Sequence, residues 1–432
     1  MNILILGSGG REHALARKIS ESPLCEKLFI APGNAGTSLV GSNINMGFND
    51  FEAIKQFSLT NTIGMIVVGP EEPLVNGIVD FFNQQNDCAH ILVLGPDKAG
   101  AQLEGSKAWS KVFMHDFNIP TASYREFNSQ TREDGLKFIE TCSLPIVLKA
   151  DGLAAGKGVI ITEDRKEAAI TLNSMLGGMF GKAGNTVVIE QFLSGIEFSV
   201  FVLTDGKSYK LLPEAKDYKR IGEGDTGPNT GGMGAVSPVC FVTEAMMEKV
   251  KTKIIEPTIN GLQSRKIDYR GFIFFGLIKV NDEPYVIEYN CRMGDPETEV
   301  VIPRITNDLV PFLQNAAKGQ LGVEEIMVNR ETATTIMLVS GGYPGDYNKG
   351  ETISGIENIK NSIVFHAGTL SQNGKVLTNG GRVIAITSFG SSIEEAIKKS
   401  LDSAEKLDFK GKQYRKDIGE DLMKYVPSYA KQ

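Results

Sequence analysis

The chain has little of what marks several large classes of protein. No Lys/Arg block exceeds three residues, so there is no basic stripe of the kind a nucleic-acid binder uses to neutralise phosphates. No apolar run approaches the ~18–20 residues of a membrane span. The start, Met1-Asn2-Ile3-Leu4-Ile5-Leu6-Gly7, lacks the basic flank and long apolar stretch of a secretory signal. Cysteine is scarce: Cys25, Cys88, Cys142, Cys240 and Cys291 are widely spaced, and no pair is C-x-x-C. A disulfide scaffold and a cysteine zinc site are thereby excluded, and reduced thiols in a cytoplasmic protein are the expectation. Four scattered histidines supply no His-rich metal site, and no Ser-His-Asp or Cys-His grouping stands out.

What is present is an ordinary globular balance. At ~150 residues per domain, 432 residues suggest about three domains. Lys plus Arg number 45 and Asp plus Glu 52, for a net charge of −7. A mildly acidic chain remains compatible with nucleotides, which need only a few cations in one pocket. The hydrophobic share of 41% and charged share of 22% sit near the globular average of ~45–50% and ~25%. Disorder, collagen and coiled coil are ruled out as descriptions of the whole.

The first hundred residues alternate short apolar runs (3–6, 28–31, 65–68, 91–94) with stretches of helical spacing (12–20, 51–59, 74–84). This alternation predicts a doubly wound parallel sheet with ligand loops at the strand C-termini. Four glycine-bearing loops follow those strands: Gly7-Ser8-Gly9-Gly10-Arg11-Glu12-His13, Pro32-Gly33-Asn34-Ala35-Gly36-Thr37, Gly69-Pro70-Glu71-Glu72-Pro73 and Gly95-Pro96-Asp97-Lys98. Further on, residues 106–118 read as a helix, and 145–150, 159–162, 186–192 and 198–203 as strands. Residues 221–237 form a long Gly-rich stretch without periodicity, and 271–280 with 284–289 a hairpin. The last hundred residues, with strands 335–339 and 383–387 and an amphipathic helix 393–407, read as a small α+β domain.

Several motifs carry chemistry. Gly7-x-Gly9 lacks the third glycine of a dinucleotide fingerprint, which here is Glu12. A phosphate on the loop amides, with Arg11 as charge partner, and a tight turn without ligand both remain open. The loop Gly152–Gly158 falls one residue short of a Walker A motif and joins two strands. It carries Lys157, with Lys149 on the preceding strand, and reads either as a polyphosphate cover or as a solvated hairpin. Glu288 and Asn290 lie at i and i+2 of a strand and share a face, a hard oxygen pair suited to Mg2+ or Mn2+. Arg292-Met293-Gly294-Asp295-Pro296-Glu297-Thr298-Glu299 follows at once, and Lys216-Asp217-Tyr218-Lys219-Arg220 precedes the glycine stretch. Glu190-Gln191-Phe192-Leu193 ends an apolar strand and Glu197 opens the next, a pattern suited to an adenine edge and ribose hydroxyls but common in itself.

The order of strand lysine, glycine loop with a second lysine, adenine-type hinge, long loop and carboxylate/amide pair resembles an ATP-grasp domain. Gly9-Gly10-Arg11-Glu12-His13-Ala14, Leu103-Glu104-Gly105-Ser106-Lys107, Lys149-Ala150-Asp151-Gly152, Asp225-Thr226-Gly227-Pro228-Asn229-Thr230-Gly231-Gly232-Met233-Gly234, Thr378-Asn379-Gly380-Gly381-Arg382 and Arg415-Lys416-Asp417-Ile418-Gly419 resemble the motifs of the phosphoribosylamine–glycine ligase family. The resemblance implies an N-terminal substrate-binding parallel-sheet domain (1–103), a central ATP-grasp domain (104–328) with a mobile lid at about 122–190, and a C-terminal α+β domain (329–432). It implies a monomer without an obligate protein partner, acting on ATP, glycine and 5-phosphoribosylamine with Mg2+ or Mn2+, in the second step of purine biosynthesis. For ATP it implies Lys107, Lys149, Gly156, Lys157, Gly158, Glu190, Gln191, Phe192, Leu193 and Glu197. For the other substrates it implies Gly9, Gly10, Arg11, Glu12, Asn34, Gly36, Thr37, Asp217, Arg292, Asp295 and Glu297. Arg292, Lys149, Lys157, Asp217 and Lys219 would be catalytic, and Glu288 and Asn290 would hold the metal. Two positions depart from the family pattern. Met293 stands where an aromatic is usual, and Tyr218 where histidine is usual. The rival readings are a different ATP-grasp ligase or carboxylase and a non-catalytic nucleotide-binding regulator.

Overall fold

A computed structural model describes residues 1–153 and 158–426. Strands Asn2–Gly7, Lys27–Pro32, Ile63–Val68 and Leu92–Pro96 are apolar for most of their length and pair in parallel, flanked by the short strand Ser42–Asn43. Parallel pairing aims their C-terminal ends the same way, so the four glycine loops line one edge, as the sequence predicts. The helix Gly10–Ser20 starts at once after the first loop because Glu12 Oε2 accepts the Gly9 N–H at 2.6 Å. Residues 74–84 are not one helix as their spacing suggests. They divide into Glu71–Asn76 and Ile78–Asn83 because Gly77 takes a left-handed backbone (φ 93°) between them.

This sheet does not end with the first domain. Pro96 and Gly95 pair antiparallel with Tyr269 and Arg270, the beginning of strand Tyr269–Val280. That strand pairs in turn with Ile196–Thr204 and Glu283–Asn290. The junction demands glycine, since a Cβ at Gly271 would lie 3.1 Å from the Gly95 Cα. A separate four-stranded antiparallel sheet runs in the order Tyr124–Asn128, Thr186–Gln191, Ile146–Ala150, Val159–Thr162. It has its own core around Phe127, Ile139, Leu148 and Leu172.

The third body is a five-stranded sheet in the order Lys216–Asp217, Gly234–Ser237, Thr332–Val339, Arg382–Gly390, Ile363–His366. The helix Ile393–Lys406 packs on it, capped where Ser392 Oγ accepts from Glu395 N. One of its strands comes from the stretch read as aperiodic. Residues 221–237 contain an antiparallel hairpin, Arg220–Gly222 with Thr226–Asn229, and the strand Gly234–Ser237. Their short, Gly- and Pro-interrupted segments hide a period of two. No helix among the described residues is long and apolar enough to cross a membrane.

Candidate active site

Three groups of side chains meet where the parallel sheet, the small four-stranded sheet and the C-terminal sheet face one another. In the first, Glu190 Oε2 receives Lys149 Nζ at 3.0 Å and Lys111 Nζ at 3.1 Å. Lys149 also donates to the Ile287 carbonyl at 3.3 Å, bridging the small sheet and the large one. A shift in ladder register leaves Ile287 without a cross-strand partner and frees that carbonyl. Burial lowers the Lys111 pKa to about 8 against the pull of Glu190. Burial raises the Glu190 carboxyl, but Lys149 and Lys111 outweigh it and hold the pKa below the ordinary value. Glu190 Oε1 is buried without a hydrogen-bond partner among the described residues. Lys107 opens the helix Lys107–Asp116 and donates to the Gly152 carbonyl at 3.2 Å. Asp151 fixes that helix start by accepting from Ser106 Oγ and Ala108 N. Gln191 and Phe192 are exposed and Leu193 is half-buried beside them. Gly156 and Lys157 lie outside the described residues, and Gly158 donates no side chain but its carbonyl accepts from Ala150 N at 2.8 Å.

In the second group, Glu288, on the strand Glu283–Asn290 with the buried Asn290 two positions on, acts on Lys219, whose ammonium pairs with Glu197 at 2.7 Å. Burial lowers the Lys219 pKa, yet Glu197, Asp217 and Glu288 carry it well above the ordinary value. Burial pushes the Glu288 carboxyl up, and Lys219, Lys149, Lys107 and Arg292 together pull it below the usual range. A carboxylate kept anionic beside an amide oxygen fits a divalent cation that completes its shell from phosphate oxygens. Among the described residues no cluster of three or more His, Cys, Asp or Glu could hold a metal without such help. Asp217 and the buried Glu297 face each other. Desolvation raises both pKa values, with Glu197 and Glu288 adding to the rise at Asp217, and the Asp217 charge helps bring Glu297 to about 8. Ser199 Oγ donates to Glu297 at 3.3 Å.

A raised acid pKa has a fixed consequence for stability. From its ordinary value of 4.5 up to about 8, Glu297 is protonated in the fold and ionised in the unfolded chain. Its contribution is complete below 4.5 and is lost as pH rises through 8. Glu297→Gln removes this dependence. The wild-type melting temperature is expected to drop more steeply than that of Glu297→Gln between pH 6 and 9 in scanning calorimetry. Parallel curves would refute the assignment.

Arg292 anchors the third group. Its Nη2 donates to Glu104 at 2.7 Å and its Nε to Glu71 at 3.2 Å. Burial raises the Glu71 carboxyl, but Arg292 and Arg11 outweigh it and lower the pKa to about 2. Glu104 also accepts from Cys291 N at 2.8 Å. Met293 is buried, filling the place of the usual aromatic, and its carbonyl accepts from Arg11 Nη1 at 3.0 Å.

Beyond Arg292 lies a cavity of about 280 Å³ lined by Ser8, Gly9, Asn34, Asp295, Tyr343 and Arg382, among others. Asn34 ties it together, donating to Ser8 O and His366 O at 2.8 Å and accepting from Gly36 N and Thr37 N. Gly10, Arg11, Glu12, Gly36 and Thr37 do not line it. Arg11 pairs with Glu12 at 2.7 Å, Gly36 packs on His13, Gly10 packs on Glu299, and Thr37 Oγ1 donates to Asn43. Sequence reasoning missed Lys111, one helical turn from Lys107 on the same face. It also missed Arg382, Tyr343 and Glu104 as site residues. Arg382 and Glu104 stand inside motifs that carry the resemblance, which was the available signal.

This arrangement of a small antiparallel sheet tied to a larger sheet through Lys149, with further lysines and a carboxylate/amide pair close by, defines the ATP-grasp class of enzymes. The chain belongs to the phosphoribosylglycinamide synthetase family, matching its N domain over residues 1–104, its ATP-grasp (A) domain over 105–298 and its C domain over 333–421. It is 46% identical over 424 residues to the phosphoribosylamine–glycine ligase of Pasteurella multocida, covering 97% of each chain. It is likewise 46% identical to that of Haemophilus influenzae, covering 97% of this chain and 98% of the relative. The crystal structure of the phosphoribosylamine–glycine ligase from Thermotoga maritima superposes with a TM-score of 0.85 at 35% identity, covering 97% of this chain and all of that one. Biotin carboxylase from Campylobacter jejuni, at 16% identity and a TM-score of 0.73, shares the fold alone.

Proposed function

We propose that the protein joins glycine to 5-phosphoribosylamine at the expense of ATP, giving glycinamide ribonucleotide, ADP and phosphate in the second step of purine biosynthesis. The single observation that carries this reading is near-full-length kinship, 46% identity over 97% of both chains, to enzymes named for that reaction. The free state of all five cysteines suits a cytoplasmic enzyme, and we read it as a monomer.

A carboxylate is a poor electrophile. The glycine carboxylate therefore attacks the γ-phosphate of ATP to give glycyl phosphate and ADP. The amine nitrogen of phosphoribosylamine then attacks the activated carbonyl and expels phosphate. Phosphoryl transfer is mostly positioning and charge neutralisation, work for Lys107, Lys149 and Arg292, and for Lys157, which lies outside the described residues. The segment Glu190–Leu193 holds the adenine and Glu197 the ribose. Glu288 and Asn290 hold Mg2+ or Mn2+, which when bound neutralises phosphate charge. Asp217 and Glu297, carrying fewer than two negative charges between them, orient an amine beside Lys219. The cavity lined by Gly9, Asn34, Asp295 and Arg382 holds the phosphoribosyl group.

The test is ADP release from ATP and Mg2+, with glycine and freshly generated phosphoribosylamine supplied together and each omitted in turn. Release that requires both, in step with glycinamide ribonucleotide, is expected. No release from protein that binds ATP would point to a nucleotide-binding regulator. Release with other carboxylates but not glycine would point to another ATP-grasp ligase.

A further inference from the structure

The extended segment 216–220, which carries Asp217 and Lys219, has a second face, and the mechanism above makes no use of it. Tyr218 points there and is buried. Its ring meets two cations, Lys216 Nζ 3.6 Å from the centroid and the Arg415 guanidinium at 5.3 Å. Its hydroxyl donates to Asp421, whose other oxygen takes Lys216 at 3.2 Å. Arg415, 2% exposed, is the centre of this assembly. It donates to the Arg220 carbonyl at 3.0 Å, to Asp225 at 2.7 Å, and to both oxygens of Asp417 at 2.8 and 2.7 Å. Asp417 accepts from Gly224 N at 2.8 Å, and Lys416 N donates to Glu223 at 3.2 Å.

The bonds to the Arg220 carbonyl, Glu223, Gly224 and Asp225 converge on the hairpin formed by residues 220–229. Its tip is exposed, and Asp225 holds a left-handed backbone (φ 54°) rare for a non-glycine residue. Among the described residues, the hydrogen bonds that reach residues 221–228 from outside the hairpin all come from 415–417. A cavity of about 350 Å³, lined in part by Ile221, Glu223, Met233 and Tyr414, lies between hairpin and clamp, so the tip is pinned by its polar contacts and not by packing. The base of the hairpin stands between the two substrate regions. On one side Thr230 bonds the Lys219 carbonyl, and on the other Gly231 O accepts from Arg382.

Resting on the ligase reading, we infer that Arg415 is a positioning residue. The C-terminal segment 415–421 clamps the hairpin 220–229 as a flap over the reacting groups and, through Tyr218, sets Asp217 and Lys219. The flap keeps water from glycyl phosphate until the amine attacks. Without it, water cleaves the acyl–phosphate bond to glycine and phosphate, and ATP is spent without product. Position 218 thus acts through its aromatic ring and hydroxyl on the face away from the substrates.

The experiment compares full-length wild type, Arg415→Met and Asp225→Asn. It measures glycinamide ribonucleotide formed per ADP released, the KM for ATP, and trypsin cleavage after Arg220. The product-to-ADP ratio is expected to fall about tenfold in Arg415→Met and several-fold in Asp225→Asn, with the KM for ATP within about twofold of wild type. Cleavage after Arg220 should accelerate in both. Asp225 is an exposed tip residue, so its variant decides the matter if Arg415→Met fails to fold. A wild-type ratio or unchanged cleavage in folded variants overturns the inference. If wild type itself does not require both substrates, the ligase reading fails, and the clamp still stands or falls on the cleavage rates.

Discussion

Glu288→Ala is expected to lower the rate of ADP release by about 10³-fold while leaving the fold intact. The carboxylate sits opposite Lys219, Lys149, Lys107 and Arg292, which keep it anionic. Its removal takes away one of two hard oxygen donors and leaves these cations facing one another with less compensation. Phosphoryl transfer depends on charge placed where it develops in the transition state, and so the chemical step bears the loss. Glu288 is only partly buried, and its removal opens no apolar cavity. Circular dichroism should stay near wild type, the thermal midpoint should fall modestly because four cations lose a partner, and raising Mg2+ should not restore the rate. An active, folded variant would remove Glu288 from the metal site.

Arg292→Met has its largest effect on stability. Arg292 lies between Glu104, whose side chain is 7% exposed, and Glu71 at 30%. Its removal leaves Glu104 buried against Cys291 with an uncompensated charge. Breaking such a pair from one side costs about 3–5 kcal/mol, and the partial exposure of Glu71 favours the lower figure. Denaturant unfolding should show the loss, and Glu104→Gln in the same background should recover most of it, because a neutral amide no longer needs the guanidinium. Activity should not return with stability, since in the proposed reaction the cation also serves the phosphates. A double variant that regains turnover would make Arg292 a structural residue only.

Much of this was legible along the chain, for local reasons. Strand alternation put Glu288 and Asn290 on one face, and a period of two needs no tertiary information. Gly77, by contrast, breaks a helix that apolar spacing alone reads as continuous, since spacing does not report a backbone sign. Lys111 was invisible because a lysine on a helix reads as solvated until its partner Glu190, 79 positions away in the chain, is brought beside it.

What the sequence by itself determined was the inventory: which residue types stand on which strands and loops, in an order specific to one family. Tertiary structure alone decided the pairing. The Arg292–Glu104 and Arg292–Glu71 contacts span 188 and 221 residues, and Arg415 reaches Asp225 across 190. Only folding sets such distances, and with them burial and the balance of charge. Glu297 near pKa 8 and Glu71 near 2 are the same side chain in two surroundings. At Glu297 burial and the Asp217 charge outweigh Lys219 and Arg292, whereas Glu71 holds the Arg292 guanidinium in a direct hydrogen bond, and desolvation against Coulomb attraction settles each case.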